Sequence, residues 1–207
     1  MVFTGIVEGT GIISKINRKE NLTRIIVKTP SNFSRGIQVG ASVCVDGVCL
    51  TVTGINQDSL EFDLIMETLK VTTFGKIEEK SIVNIERSLK LGSEIGGHII
   101  SGHVFDTATI TEISEPENNY ILTLSFNPDL QKYIFPKGYI SLNGISLTIG
   151  EVNKNDNTFT VYLIPETLRL TNLMHKLVGD SINIEIETQT RNTVDTIIEM
   201  NKESING

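Results

Sequence analysis

Two side chains that can act as nucleophiles stand at matching points of a sequence that repeats itself. Cys49 lies in Asp46-Gly-Val-Cys-Leu-Thr-Val52, and Ser146 lies 97 positions later in Asn143-Gly-Ile-Ser-Leu-Thr-Ile149. A thiol and a hydroxyl in equivalent surroundings can each assist addition to an electrophilic carbon, directly or through a water, with unequal reactivity. A second repeat, Thr4-Gly-Ile-Val7 and Ser101-Gly-His-Val104, sets Ile6 against His103, whose imidazole is suited to carrying protons near neutrality. A third, Met66-Glu-Thr-Leu-Lys-Val-Thr72 and Pro165-Glu-Thr-Leu-Arg-Leu-Thr171, offers threonine hydroxyls and main-chain amides that can grip the donors and acceptors of a heterocycle. Like pockets with unlike polar groups imply one kind of ligand held in two chemical roles.

Short strands carry these groups. Asp46-Gly47 and Asn143-Gly144 are two-residue hairpin loops. Alternation sends Val48, Leu50 and Val52 to one face and Cys49 and Thr51 to the other; Ile145, Leu147 and Ile149 oppose Ser146 and Thr148 in the same way. The hairpin register sets Cys44 opposite Cys49, close enough to be cross-linked, although a reducing cytosol keeps both thiols free. Runs rich in Val, Ile and Thr predict strands over 11–16, 24–28, 41–45, 48–55, 60–64 and 82–85, with similar runs beyond Gly97. Without long helical patterns between them, the expected fold is all-β: two tandem six-stranded Greek-key antiparallel barrels plus a C-terminal helix. The barrels are expected over 1–97 and 98–188, joined through the glycine-rich segment 91–97. The helix, over 189–207, carries Val194, Ile197, Ile198 and Ile205 as a stripe that either packs on its own domain or joins subunits.

Composition narrows the function. With 207 residues, of which 39% are hydrophobic, each half can bury a modest core of its own. A net charge of −7 without a Lys/Arg cluster argues against nucleic acid. No stretch approaches the roughly 20 apolar residues of a membrane span, and the N-terminal residues do not read as a secretory leader, so a soluble cytoplasmic protein is expected. Two cysteines, and two histidines five positions apart, His98 and His103, make no metal-ligand set. Neither a phosphate-binding glycine loop nor a hydrolase triad motif occurs.

In Phe3-Thr-Gly-Ile-Val7, the paired Gly-x-Cys/Ser-Leu-Thr and Glu-Thr-Leu motifs, and Gly97-His-Ile-Ile-Ser-Gly-His103, the chain resembles the alpha-type riboflavin synthase family over nearly its whole length. That family has two lumazine-binding domains. The resemblance implies a transferase for the final step of riboflavin biosynthesis, dismutating two molecules of 6,7-dimethyl-8-ribityllumazine to riboflavin and 5-amino-6-ribitylaminouracil without an added cofactor. It implies a homotrimer in which the first barrel of one subunit faces the second barrel of another, and it leaves association with lumazine synthase open. By motif, Gly5, Ile6, Val7, Cys49, Leu50, Thr51, Asp63, Leu64, Ile65, Met66, Glu67 and Thr68 would contact substrate in the first pocket. Gly102, His103, Val104, Lys137, Ser146, Leu147, Thr148, Tyr162, Leu163, Ile164, Pro165, Glu166 and Thr167 would form the second. Cys49, Ser146, His103 and Thr148 take the implied catalytic roles, whereas Asn143 and Glu187 stand where some relatives carry Asp. A non-catalytic lumazine- or flavin-binding protein can share this architecture; the two intact polar sets favour the enzyme.

Overall fold

Strong period-two burial organises both halves. A computed structural model describes residues 2–117 and 119–206, the last four of these in backbone only. The first half comprises β1 (Gly9–Lys19), β2 (Leu22–Lys28), β3 (Ser42–Val45), β4 (Val48–Asn56), β5 (Ser59–Ile65), a short helix α1 (Met66–Val71) and β6 (Ile82–Arg87). The second comprises β7 (Asp106–Ser114), β8 (Tyr120–Ser125), β9 (Tyr139–Leu142), β10 (Ile145–Asn153), β11 (Thr158–Leu163), α2 (Pro165–Leu170) and β12 (Ser181–Ile186), followed by helix α3 (Thr188–Asn206). Each half is a closed antiparallel barrel, in the orders β1-β2-β5-β4-β3-β6 and β7-β8-β11-β10-β9-β12. In both, a hairpin-linked trio is joined by a strand that returns beside its first member, which is the Greek-key connection.

Local chemistry explains closure. Asp46 and Gly47 have φ of 46° and 81°, and Asn143 and Gly144 repeat this at 46° and 79°, so both hairpins turn with two positive φ angles. On β5 the side chains of Leu60, Phe62 and Leu64 are fully buried, as are Phe159 and Val161 on β11. Each such residue contributes about 1.5–3 kcal/mol of apolar burial. Register shifts between Val52 and Gly54 and between Ile149 and Val152 mark bulges at matching places in the two barrels, adding the bend that closure needs.

The chain crosses over between the barrels. Phe3 and Ile100 exchange two main-chain hydrogen bonds, of 2.8 and 3.0 Å, at the centre of the molecule. Beyond that crossing Val7 packs into the core of the second barrel, and Val104 packs against the core of the first. Phe3, Ile100 and Cys44 form a small apolar cluster with Cys49 at its edge. Cys44 lies opposite Cys49 as expected, and both thiols are free.

Beside this cluster the two hairpin turns meet in a buried polar knot. Asn84 Nδ2 donates to the Asn143 carbonyl (3.0 Å), and Asn183 Nδ2 donates to the Asp46 carbonyl (2.7 Å), so the contact has an approximate two-fold symmetry. Asp46 Oδ1 accepts from Asn84 N at 2.7 Å, where Asn143 Oδ1 accepts from Asn183 N at 2.8 Å. The symmetry breaks in charge. Burial pushes the Asp46 carboxyl up to about 7, against the hydrogen bonds from Asn84 and Asn172 and the charge of Lys176. A raised acid stabilises the fold fully below its unfolded pKa and loses that contribution as pH rises to the folded value. Asp46→Asn, which copies Asn143, is therefore expected to gain stability relative to wild type by up to about 4 kcal/mol between pH 4 and 7. Urea denaturation of both proteins across that range measures it, and a parallel pair of curves would refute it.

Helix α3 begins slightly before the expected start, and its first half packs on its own barrel. Val194 reaches the second core, Asp195 accepts from Tyr133 Oη at 2.5 Å, and the Arg191 guanidinium sits 4.2 Å from the Phe105 ring centroid. Farther along, Ile197 and Met200 are exposed; the side chain of Ile205 and all of Gly207 lie outside the described residues. Among the described residues no helix is long and apolar enough to cross a membrane.

Candidate active site

The crossing decides which residues share a pocket. Cys49 projects from the outer face of β4 into a recess of about 430 Å³ bounded by Glu67, Thr68 and Thr72 of its own half. The opposite wall is Gly102, His103, Val104 and Phe105, with Arg191 from α3. Ser146 on β10 occupies a smaller recess of about 170 Å³ with Glu166, Thr167 and Thr171, and its opposite wall is Gly5, Ile6 and Val7. The recesses group these residues differently from the motif order. Gly5, Ile6 and Val7 belong to the second barrel's pocket, and Gly102, His103 and Val104 to the first, because each segment crosses at the Phe3–Ile100 pair before reaching a wall.

Main-chain bonds fix the crossing segments against Cys49 and Ser146. Gly102 O accepts from Cys49 N and Gly5 O accepts from Ser146 N, both at 2.9 Å. Close approach requires glycine: a Cβ on Gly102 would lie 2.5 Å from Cys49 Cβ, and one on Gly5 would lie 2.6 Å from Ser146 Cβ. Both also have positive φ, 77° and 74°.

The two candidate nucleophiles sit in different surroundings. Ser146 Oγ lies 2.7 Å from Nδ1 of His98, whose ring is stacked on Tyr139 at a centroid distance of 5.2 Å. Burial pushes the His98 imidazole below its usual pKa, with the charge of Glu187 opposing. A neutral imidazole can accept the serine proton. Burial raises the Cys49 thiol despite the hydrogen bond from Ser42, so at neutral pH it is a thiol rather than a thiolate. The Cys44–Cys49 pair of the first barrel is replaced in the second by Ser141 opposite Ser146.

A lumazine binding domain matches the chain twice, over residues 4–88 and 101–187. The riboflavin synthase of Escherichia coli (strain K12) is 45% identical over 197 residues, covering 95% of this chain and 92% of that protein. The riboflavin synthase of Chlamydia pneumoniae is 43% identical, covering 95% of both. The chain belongs to the riboflavin synthase family. Among solved structures, LumP complexed with riboflavin superposes on this riboflavin synthase family member with a TM-score of 0.82 at 30% identity, covering 90% of this chain and 100% of that one. LumP complexed with 6,7-dimethyl-8-(1'-D-ribityl)lumazine gives 0.81 at 28% identity, covering 90% and 99%.

Other motif-derived positions of the riboflavin synthase family fall in several places. Leu50, Leu64, Leu147 and Leu163 point into the barrel cores, so only their main chains can border a ligand. Asp63 is held by Arg24 in a two-pronged ion pair of 2.7 and 2.8 Å and does not line the recess. Ile65 lines the first recess, while Thr51 and Met66 are exposed nearby. Thr148 is exposed on the same face as Ser146. Lys137, with φ of 68°, is in an exposed turn whose main-chain N–H donates to Ile149 O at 2.8 Å. Tyr162 and Ile164 are exposed, whereas Leu163 and Pro165 border a separate groove with Tyr120 and Met174. Asn143 is fully buried in the polar knot. His98 and Arg191 were missed: His98 stood within a quoted motif, but Arg191 has no counterpart in the repeat.

Proposed function

We propose that this chain catalyses the dismutation of two 6,7-dimethyl-8-ribityllumazine molecules to riboflavin and 5-amino-6-ribitylaminouracil, each crossed recess holding one molecule. The observation that carries this reading is the matched presentation of Cys49 and Ser146 beside unlike partners. Next to Ser146, neutral His98 takes a proton as the hydroxyl, or a water it holds, adds at C7 of the acceptor lumazine. Thr148, on the exposed face it shares with Ser146, extends the same site outward.

The donor lumazine occupies the Cys49 recess. Its C7 methyl is acidic because the carbanion delocalises into the heterocycle, so exposed His103 serves as a proton carrier without needing a strongly basic form. Cys49, a neutral thiol, orients the donor ring as a hydrogen-bonding group. Holding both rings in register contributes up to about 7–11 kcal/mol. No added cofactor is required.

A recess of 170 Å³ is below the roughly 300 Å³ of an enclosed small-molecule site and acts as one wall of it. The proposed assembly is a homotrimer in the cytoplasm, in which the first barrel of one subunit covers the second barrel of the next. In this reading 1–97 and 98–188 are the two lumazine-binding units, and 189–207 is the trimerisation element, with Ile197 and Met200 exposed to meet a neighbour. Incubation with the lumazine alone is expected to yield both products in equal amounts from twice as many substrate molecules. Stable bound fluorescence without substrate loss would instead make the chain a binder.

A further inference from the structure

Neither crossing segment, 4–7 nor 101–105, is held in a strand ladder where it lines its recess. Something must set its path, because a glycine at positive φ has many alternatives. In each half the last barrel strand supplies one buried carboxylate at that point. Glu86 on β6 accepts from Thr4 N (2.7 Å), Thr4 Oγ1 (2.8 Å) and Gly5 N (3.1 Å). Glu185 on β12 accepts from Ser101 N (2.7 Å), Ser101 Oγ (2.7 Å) and Gly102 N (2.9 Å). Their exposures are 4% and 3%.

We propose that Glu86 and Glu185 are positioning residues that act crosswise: the carboxylate of each barrel shapes the segment that completes the substrate pocket of the other. This deepens the function proposed above and rests on it. The connection is short in both directions. Glu86 orients the Thr4–Gly5 peptide, whose Gly5 carbonyl accepts from Ser146 N; Glu185 orients Ser101–Gly102, whose Gly102 carbonyl accepts from Cys49 N. Only a two-oxygen acceptor without protons of its own meets three converging donors. Burial pushes both carboxyls up, Glu86 to about 7, against the pull of the same three donors, and it is the convergence of those donors that ties each carboxyl group to the path of its segment. Carboxylates that served their own barrel alone would need no donor from the crossing strand.

Glu86→Gln and Glu185→Gln keep shape and one acceptor oxygen but set an NH2 against the glycine N–H. Two readouts separate crosswise positioning from general weakening. In the first, without ligand, alkylation of Cys49 by iodoacetamide is followed by mass spectrometry. Glu185→Gln is expected to raise its rate about tenfold by loosening Gly102, while Glu86→Gln leaves it unchanged. With Ser146→Cys in a Cys49→Ser background as the reporter, the two variants should exchange roles. In the second, 6,7-dimethyl-8-ribityllumazine is titrated while backbone amide signals of each recess are observed. Glu86→Gln should weaken binding about tenfold at the Ser146 recess only, and Glu185→Gln at the Cys49 recess only. Same-barrel effects, equal effects at both recesses, or no effect would overturn the proposal. If wild type binds no lumazine, the proposed function falls, and the alkylation readout still decides the crosswise roles.

Discussion

Gly102→Ala is expected to lower kcat/KM for lumazine about 100-fold while costing only about 1–3 kcal/mol of stability. The added methyl group would lie 2.5 Å from Cys49 Cβ and 2.7 Å from Cys49 N. Neither neighbour is the loose end of a flexible side chain. The peptide is held from both sides, since Glu185 accepts from Gly102 N and Gly102 O accepts from Cys49 N. Relief therefore breaks one of these bonds and moves the recess wall away from the thiol, in the part of the molecule where ångström-scale placement sets rate. Gly36→Ala is the control: its φ of 74° carries the same left-handed strain, but nothing lies within 4 Å of the added carbon. Steady-state kinetics and thermal melts of both variants test the argument. Equal activity losses would mean that backbone strain, and not the packing on Cys49, is responsible.

Asn84→Ala is expected to destabilise the fold by about 3–5 kcal/mol. The side chain donates to Asn143 O and to Asn172 Oδ1, both at 3.0 Å, and accepts from Asn172 N at 2.7 Å. Asn143 and Asn172 are buried at 0% and 1% exposure, so the abandoned groups are shielded from bulk water. The symmetry-related Asn183→Ala should cost less, about 2–3 kcal/mol, because among the described residues that side chain bonds only to Asp46 O and Thr73 N. Urea titration orders the two, and a loss under about 1 kcal/mol for Asn84→Ala would show that the knot contributes little to holding the barrels together. The pair also sets the scale for Asp46→Asn, which keeps the hydrogen bonds of the knot and removes a charge.

Much of the fold was legible in the residues. The Asp-Gly and Asn-Gly turns, followed by alternating apolar side chains, specify two hairpins and the face that carries Cys49 and Ser146. Strand runs recur at offsets of 97 to 99 residues, and the structure extends most of them by only a few residues. The Glu-Thr-Leu motifs were less transparent. Thr68 and Thr167 do border the recesses, but the motifs also build α1 and α2, and Glu166 is held by Arg169 in a two-pronged pair of 2.6 and 2.9 Å. His98 was visible as a residue type yet had no assignable partner, because nothing in the spacing from 98 to 146 requires contact.

Residue order and local patterning set the duplication, the all-β strand pattern, the two polar hairpin faces and, through the motifs, the family. These are local or periodic properties, set by turn geometry and side-chain alternation. Long-range packing made the segments beginning at Thr4 and Ser101 exchange barrels, brought Ser146 to His98, and carried Arg191 to the Cys49 recess. Repeated segments carry nearly the same local instructions, so a sequence cannot state which of two similar barrels each will complete. That choice follows from the single antiparallel contact of Phe3 with Ile100 and from the buried carboxylates and asparagines around it, which act between residues about 60 to 140 positions apart.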